Sequence, residues 1–394
     1  MFFSPYLTQT EQWLLIAAVI CVLISGLIYL LRVRPVALRR RKAEVVAPPR
    51  ADADYEPASV IVYSQGEDEQ LRTLLESLLD QDYPAAYEVI VVNDGESPDV
   101  RDTVSMLRCS HPNLYLTFTP EGVMNLSRKK LGITLGVKAA RYDVLLFTTT
   151  AVSIPSRRWL RSMARHFGKD SAVELVIGFA CVDPDEDRTG SFRRRAYDYV
   201  ADAVRWLGVA VAGKPFRGTE YNIAYRKSLF IKNKGFARSF NLHAGDDDVF
   251  ISEIATGANT AVELGDDSLV TVSHGNHPRV FNERMMSHYF TESFIGRRPR
   301  FLYILPGLLQ LASIALAVAA SVLAWPNALA AAVALLIALG IAVIDIAVWR
   351  NIMQALRSRT MLFTIPWFTL TYPLRKIWGR FLSLFSRDRH YTWN

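Results

Sequence analysis

Cysteine is scarce in this sequence. Cys21, Cys109 and Cys181 are odd in number and far apart, so neither a disulfide framework nor a cysteine metal cluster is encoded. Reduced thiols in a cytosolic domain are the expectation. No Gly-x-Gly-x-x-Gly follows any predicted strand, which weighs against a dinucleotide-dependent oxidoreductase or a methyltransferase. One segment, Gly208-Val-Ala-Val-Ala-Gly213-Lys214, begins like a phosphate-binding loop. It has Pro215 where a hydroxyl would hold magnesium, and Ala203 to Leu207 before it reads as helix, so we take it as chance. Residues 1–12 contain no lysine or arginine, so the apolar run after them lacks the leading charge of a cleaved signal peptide. Internal repeats and low-complexity tracts are also missing.

The net charge of +7 suggests nucleic acid only until its location is read. Once the bases at 32–42 and the charges beyond 349 are set aside, 31 basic side chains face 37 acidic ones. That balance offers no footprint for a phosphate backbone. The terminal bases suit anionic lipid instead.

What is abundant is apolar sequence, 51% of the chain. Trp13–Leu31, Phe301–Ala324 and Asn327–Trp349 each approach the roughly 20 residues that a membrane-spanning helix needs. Arg32, Arg34, Arg39, Arg40, Arg41 and Lys42 follow the first run; Arg297, Arg298 and Arg300 precede the pair; Arg350, Arg357 and Arg359 follow it. Basic flanks stay in the cytoplasm, so we expect an uncleaved anchor, an outward Trp325-Pro326 turn, and everything from Arg32 to Arg300 inside. Met361–Leu374 reads as too short and too proline-broken (Pro366, Pro373) to span. We expect it to lie on the membrane surface, with Arg375, Lys376 and Arg380 toward headgroups, a fourth span being the alternative. Asp345, inside the third run, is formally an intramembrane carboxylate and hence a functional candidate, but it lies roughly 7 Å along its helix from Arg350, so we favour interfacial placement.

Between these flanks the sequence alternates strand and helix. Ser59-Val-Ile-Val-Tyr63 runs into Gly66-Glu67-Asp68-Glu69, and Glu88-Val-Ile-Val-Val92 runs into Asn93-Asp94-Gly95. Unbroken β-branched runs predict strands covered on both faces. Leu71, Leu74, Leu75, Leu78 and Leu79 recur at helical spacing, followed by a helix at 98–107, a strand at 113–118, a basic helix at 128–140 and a strand at 143–147. This order predicts an α/β fold with a mixed, mostly parallel sheet. Such sheets bind ligands beyond the carboxyl ends of their strands, where Glu67 and Asp94 fall and where two acceptors suit a ribose or a base edge. Asp94-Gly95 is equally what an ordinary turn requires.

These segments resemble the membrane-bound family 2 glycosyltransferases of GT-A fold, particularly a bacterial group with one leading and several trailing spans. The similarity covers about residues 57–300. Gly66-Glu67-Asp68-Glu69 resembles the turn after that family's first strand, with Gly66 where asparagine is usual, and Asn93-Asp94-Gly95 resembles the nucleoside-contacting end of the second. Ser127–Ala140 is similar to the basic helix before the metal-binding loop. Gly213–Lys227 with Gly235-Phe236 resembles the acceptor-side segment, which includes Asn222, and is the longest match. Gly245-Asp246-Asp247-Asp248 resembles the acidic motif whose second acid is the base. The resemblance implies a nucleotide-sugar site at Glu67, Asn93, Asp94, Lys129, Lys130 and Thr150. It implies Asp247 as catalytic base, with Asn222, Asp246 and Asp248 on the acceptor side. The implied division is an anchor with basic flank (1–42), a linker (43–56), a cytoplasmic glycosyltransferase domain (57–300), a helical hairpin (301–349) and a basic tail (350–394).

The chemistry asks for the same residue types. Sugar transfer from a nucleoside diphosphate needs a carboxylate to take the acceptor's proton, and like-charge neighbours such as Asp246 and Asp248 would raise its pKa. An acidic triplet at a helix start can also simply cap it. Aligning Pro155 with the proline after the family's Asp-x-Asp puts Thr150 and Val152 at the two acids, so no metal ligand is assigned, although magnesium or manganese is usual in the family. Arg128, Lys129, Lys130 and Arg226 are then the candidate cations for the leaving diphosphate. A Gln-x-x-Arg-Trp-type signature is replaced by Phe281-Asn-Glu-Arg-Met-Met-Ser-His288, in which Arg284 or His288 can partly substitute; both equally suit interfacial positions beside the bilayer, the reading we favour.

The expected function is therefore an inverting glycosyltransferase of a bacterial inner membrane, adding one sugar to a lipid-linked or envelope glycan, as in polysaccharide biosynthesis. A catalytically silent relative that binds nucleotide sugars or serves as a scaffold is the alternative, motivated by Thr150 and Val152.

Overall fold

The computed structural model describes residues 7–45, 51–66, 68–120, 122, 126–182, 190–272, 277–296, 303–325, 327–358 and 362–385. The chain opens with α1 (Gln9–Ile28), a π-helical turn (Tyr29–Val33) and α2 (Arg34–Val45). There follow β1 (Ala58–Ser64), α3 (Asp68–Leu79), β2 (Tyr87–Asp94), α4 (Pro98–Arg108), β3 (Leu114–Thr119), α5 (Arg128–Ala139) and β4 (Val144–Thr149). Next come β5 (Val152–Ser153), α6 (Trp159–Ala164), β6 (Leu175–Ile177), β7 (Ala180–Val182), α7 (Gly190–Val211), β8 (Ile223–Arg226), α8 (Lys227–Lys232) and α9 (Val249–Ile254). The last elements are β9 (Thr260–Val262), β10 (Val270–Val272), α10 (Pro278–Thr291), α11 (Leu305–Leu323), α12 (Ala328–Ala355) and α13 (Ile365–Ser383). They cluster into two units, one of Arg39–Asp187, Val209–Arg298 and Gly379–Asn394, the other of Met1–Leu38, Arg188–Gly208 and Pro299–Trp378.

The first unit is built on a sheet of order β3-β2-β1-β4-β8-β6-β9. β1 pairs in parallel with β2 and β4, and β2 with β3; β8 runs antiparallel to both β4 and β6. The expected mixed, mostly parallel α/β sheet is thus present. Every residue of β1 is buried. Val60, Val62, Val89 and Val91 share a core with Leu71, Leu74, Leu75 and Leu78 of α3 and Val100 and Val104 of α4. The opposite face takes α5 at Gly132 and Gly136, where a Cβ would lie 2.8–3.1 Å from atoms of Ile61, Tyr63, Val92 and Thr119. Only glycine at this i, i+4 pair lets the helix lie so close, and its amino terminus is thereby set at the carboxyl ends of β1 and β2. The order reverses direction between β1 and β4, the switch point where open α/β sheets bind ligands.

The second unit holds three helices long and apolar enough to cross a membrane: Gln9–Arg40, which begins in it, Leu305–Leu323 and Ala328–Ala355. Small residues bring them together. Ala18, Ala317 and Ala320 are buried with Leu15, Ile337 and Ile341, and the Ser313 hydroxyl donates to the Ala18 carbonyl at 2.8 Å.

Two expectations are corrected here. The segment around Met361–Leu374 is not broken by proline: α13 runs through Pro373, whose ring is seated against Gly307, where a Cβ would meet it at 2.6 Å. Its bases also do not all point outward. Arg375 binds Asp198, with Nε to Oδ2 at 3.1 Å, and Lys376 Nζ donates to Asp202 at 2.7 Å. Burying those ammonium and guanidinium groups against carboxylates leaves Trp367, Ile377 and Trp378 exposed instead. Asp345 is likewise fully buried rather than interfacial, bonded to Gln310 of α11.

Candidate active site

The carboxyl ends of β1 and β4, the first turns of α5, strand β8 and the acidic loop before α9 surround one cavity. Its empty volume, open solvent at the mouth included, is about 420 Å³. Tyr63, Lys129, Thr149, Glu220, Asp246 and Asp247 supply its polar wall; Ile61, Ile133, Phe147, Ile223, Tyr225 and Phe236 supply the apolar one. Phe147 and Tyr225 stack at 4.3 Å between centroids.

Asp94, the last residue of β2, is held from two sides. The Tyr63 hydroxyl donates to Oδ2 at 2.6 Å, and Arg128 places Nε and Nη2 at 2.9 and 2.8 Å from Oδ1. Burial, then the hydrogen bond to Asp94 and its charge, pushes the Tyr63 phenol well above its ordinary value. Gly95 adopts φ +79°, and a Cβ there would lie 3.2 Å from Arg128 Nη2, so glycine gives the guanidinium its approach.

Four sequence-derived candidates turn away from this cavity. Asn93 spends its amide on the turn, donating to the Ser97 carbonyl at 2.8 Å and accepting from the Ser97 N–H. Asn222 is fully buried: it accepts from Trp159 Nε1 at 3.1 Å and donates to the carbonyls of Phe179 and Ser268, bracing β8 against the small β5-β10-β7 sheet. Lys130 is also fully buried, its ammonium donating to the carbonyls of Ser239, Leu242 and Ala244. Burial pushes it down to about 8, against the pull of Asp246 and Asp248. Arg226 pairs with Glu56 and Asp143 at 3.0 Å and faces Val144 across the ladder, at the opposite end of β4 from Thr149. Their expected ligand-facing roles are corrected accordingly, because each has its polar atoms committed to the fold. Thr150 is buried in the turn after β4. Glu67 lies outside the described residues.

The acidic triplet divides into three fates. Lys129 Nζ lies 2.7 Å from Asp246 Oδ2 and also binds Glu220; burial raises Asp246, but the Lys129 charge and hydrogen bond outweigh it and hold the carboxyl below its ordinary value. Asp248 caps α9, Oδ1 accepting from the Val249 N–H at 2.6 Å, while Oδ2 accepts from the Thr291 hydroxyl and lies 3.3 Å from His288 Nδ1. Asp247 is nine-tenths buried, lines the cavity, and its carboxylate accepts no hydrogen bond among the described residues. Burial raises its pKa, helped by Asp248 and Asp246 and opposed by His288 and Arg217. The like-charge effect expected from the sequence is present but second to burial. His288 and Arg284, read as interfacial, instead pack beside this loop, Arg284 lying 4.4 Å over the Tyr221 ring.

Metal ligation can be tested residue by residue. Thr150 and Val152 offer no carboxylate, and Val152 is in β5, paired with Val272. The group among the described residues with suitable types and spacing is Asp247, Asp248 and His288, with ligand atoms within 4.8 Å of one another. The sequence reading overlooked it. Asp248 is already engaged by Thr291, His288 and its cap, so this set fits a hard divalent cation poorly.

Tyr63, Glu220 and Arg217 belong to the site and were missed. Each is called in by a partner distant in sequence, so no local pattern marks it.

A sheet with this strand order and a crevice at its switch point defines a GT-A-type glycosyltransferase fold. Comparison with known proteins agrees. The sequence matches the family described as Glycosyl transferase family 21 over residues 16–388, and the chain belongs to that family. Among curated proteins no sequence match was found. The structure is similar to a mannosyltransferase from Pyrobaculum calidifontis, solved with GDP-Man and Mn2+, at 18% identity and TM-score 0.53, covering 94% of this chain and 99% of that one. It also matches residues 1–349 of S. aureus TarS (16% identity, TM-score 0.40, covering 85% and 92%). A glucosyl-3-phosphoglycerate synthase from Mycobacterium tuberculosis matches at 13% identity and TM-score 0.41, covering 62% and 84%.

Proposed function

We propose that this protein is an active, membrane-anchored, inverting glycosyltransferase that moves one sugar from a nucleoside-diphosphate sugar to an acceptor hydroxyl on a lipid-linked or envelope glycan. The observation carrying this reading is the open, buried Asp247 carboxylate in a cavity bounded by the strand tips and Lys129. Asp94, fixed by Tyr63 and Arg128, accepts from the nucleoside. Asp247 takes the acceptor O–H proton as the acceptor oxygen bonds to the anomeric carbon from the side opposite the leaving group. The anomeric C–O bond breaks, and its electron pair leaves with the diphosphate. A raised pKa brings the base nearer the working pH, which strengthens proton abstraction. The diphosphate is received by the amino terminus of α5 and by Arg128, since the positive end of a helix dipole and a guanidinium both favour an anion. No step is routed through a metal, because neither candidate ligand set suits one.

The test is turnover. Purified full-length protein is given a panel of labelled nucleotide sugars and membrane-lipid acceptors, with release or transfer of sugar as readout. Turnover of any donor supports the enzyme. Binding without turnover across the panel would instead favour the silent, scaffold-like relative, for which the exchange of both metal-site acids for Thr150 and Val152 speaks.

A further inference from the structure

In the second unit, Gln310 of α11 donates Nε2 to Oδ1 of Asp345 on α12 at 2.7 Å, with both side chains buried. The other oxygen of each, Asp345 Oδ2 and Gln310 Oε1, is sealed from solvent with no hydrogen bond within 3.5 Å, as is the Trp349 indole N–H, and the Tyr29 phenol stands near both oxygens. Around the pair stand Tyr29, from the π-helical turn, and Trp349, one turn along α12; Tyr197 of α7 is the further titratable group that feels the carboxyl. No lysine, arginine or histidine among the described residues acts on it. π-helical turns inside α-helices recur at functional positions, and this one brings Tyr29 to the acid.

An ionised carboxylate in this setting would be a buried charge without a counter-ion, beside a second orphaned acceptor. One proton on Oδ2 removes the charge and turns one of the two lone acceptors into the donor the other lacks. We propose that Asp345 is a proton-binding site, carried as the neutral acid and clasping α11 to α12 through the Gln310 amide. The bound species is the proton, not sodium. The site is independent of glycosyl transfer.

Infrared spectra of the full-length protein in detergent at neutral pH test this. A protonated-carboxyl C=O band should be present, disappear in Asp345→Asn, and move to higher frequency in Gln310→Met, where the acid stays but loses its amide donor. Raising the pH should lower the thermal midpoint of the wild type more than that of Asp345→Asn, since the folded state holds the proton and gives it up on unfolding. Exchanging sodium for choline should change neither band nor midpoint. A carboxylate band that vanishes with Asp345→Asn in place of the carboxyl band would overturn the proposal, as would a midpoint that climbs with sodium.

Discussion

Asp247 and Asp345 are both buried carboxylates, the first with neither oxygen hydrogen-bonded among the described residues and the second with one oxygen engaged, and they sit in opposite surroundings. Asp247 opens onto a cavity, with Arg217, His288 and two further acids acting on it. Asp345 is sealed between helices with an amide and a phenol for company. Burial alone therefore does not make a reactive acid. What separates the two is access: Asp247 lines a cavity, whereas Asp345 is fully buried between helices. Neighbours decide as much as depth. Within the triplet Asp246, Asp247 and Asp248, one acid is taken by Lys129 and one by the α9 cap, which leaves the middle one without a hydrogen-bond partner among the described residues.

Substitution can break this contrast at its strongest point. Asp247→Asn should lower transfer by roughly 10²–10⁴-fold, the usual size of a general-base contribution. Its thermal midpoint should hold or rise, because burial penalises the charge that is removed. Lys130→Met should cost about 3 kcal/mol or more in denaturant unfolding, since three buried carbonyls lose their donor at roughly 1 kcal/mol or more each. Asp94→Ala should weaken nucleotide-sugar binding about 10- to 100-fold by calorimetry, the range for a hydrogen bond to a charged group, with little change in fold. The smallest expected effect is that of a chelator, which should leave turnover within about twofold if the α5 terminus and Arg128 receive the diphosphate.

The fold was largely legible because its signals are local. Unbroken β-branched runs predicted β1 and β2, leucine spacing predicted α3, and the basic stretch from Arg128 became α5 within a residue of the expected end. The site was legible in part. Asp247 lines the cavity from the loop its own motif defines, and Asp94, the last residue of β2, is tied to the cavity residue Tyr63. Asn222, Lys130 and Arg226 carry the same polar chemistry, but their partners lie far away in sequence: Trp159, the 239–244 carbonyls and Glu56. No pattern along the chain tells a ligand-facing amide from one that braces a core. Asp345 misled for the same reason. Its distance along α12 to Arg350 can be counted, whereas its partner Gln310 belongs to another helix. Pro373 reads as a helix break until Gly307 supplies the room its ring needs.

The most direct measurement is the pH profile of sugar transfer, or of slow donor hydrolysis with water as acceptor. The base must be ionised to work, so the rate should climb with pH through an acid limb lying above the ordinary carboxylate value of about 4, and that limb should be missing from the residual rate of Asp247→Asn. A limb at the ordinary value, or one that survives the substitution, would contradict Asp247 as the group that takes the proton.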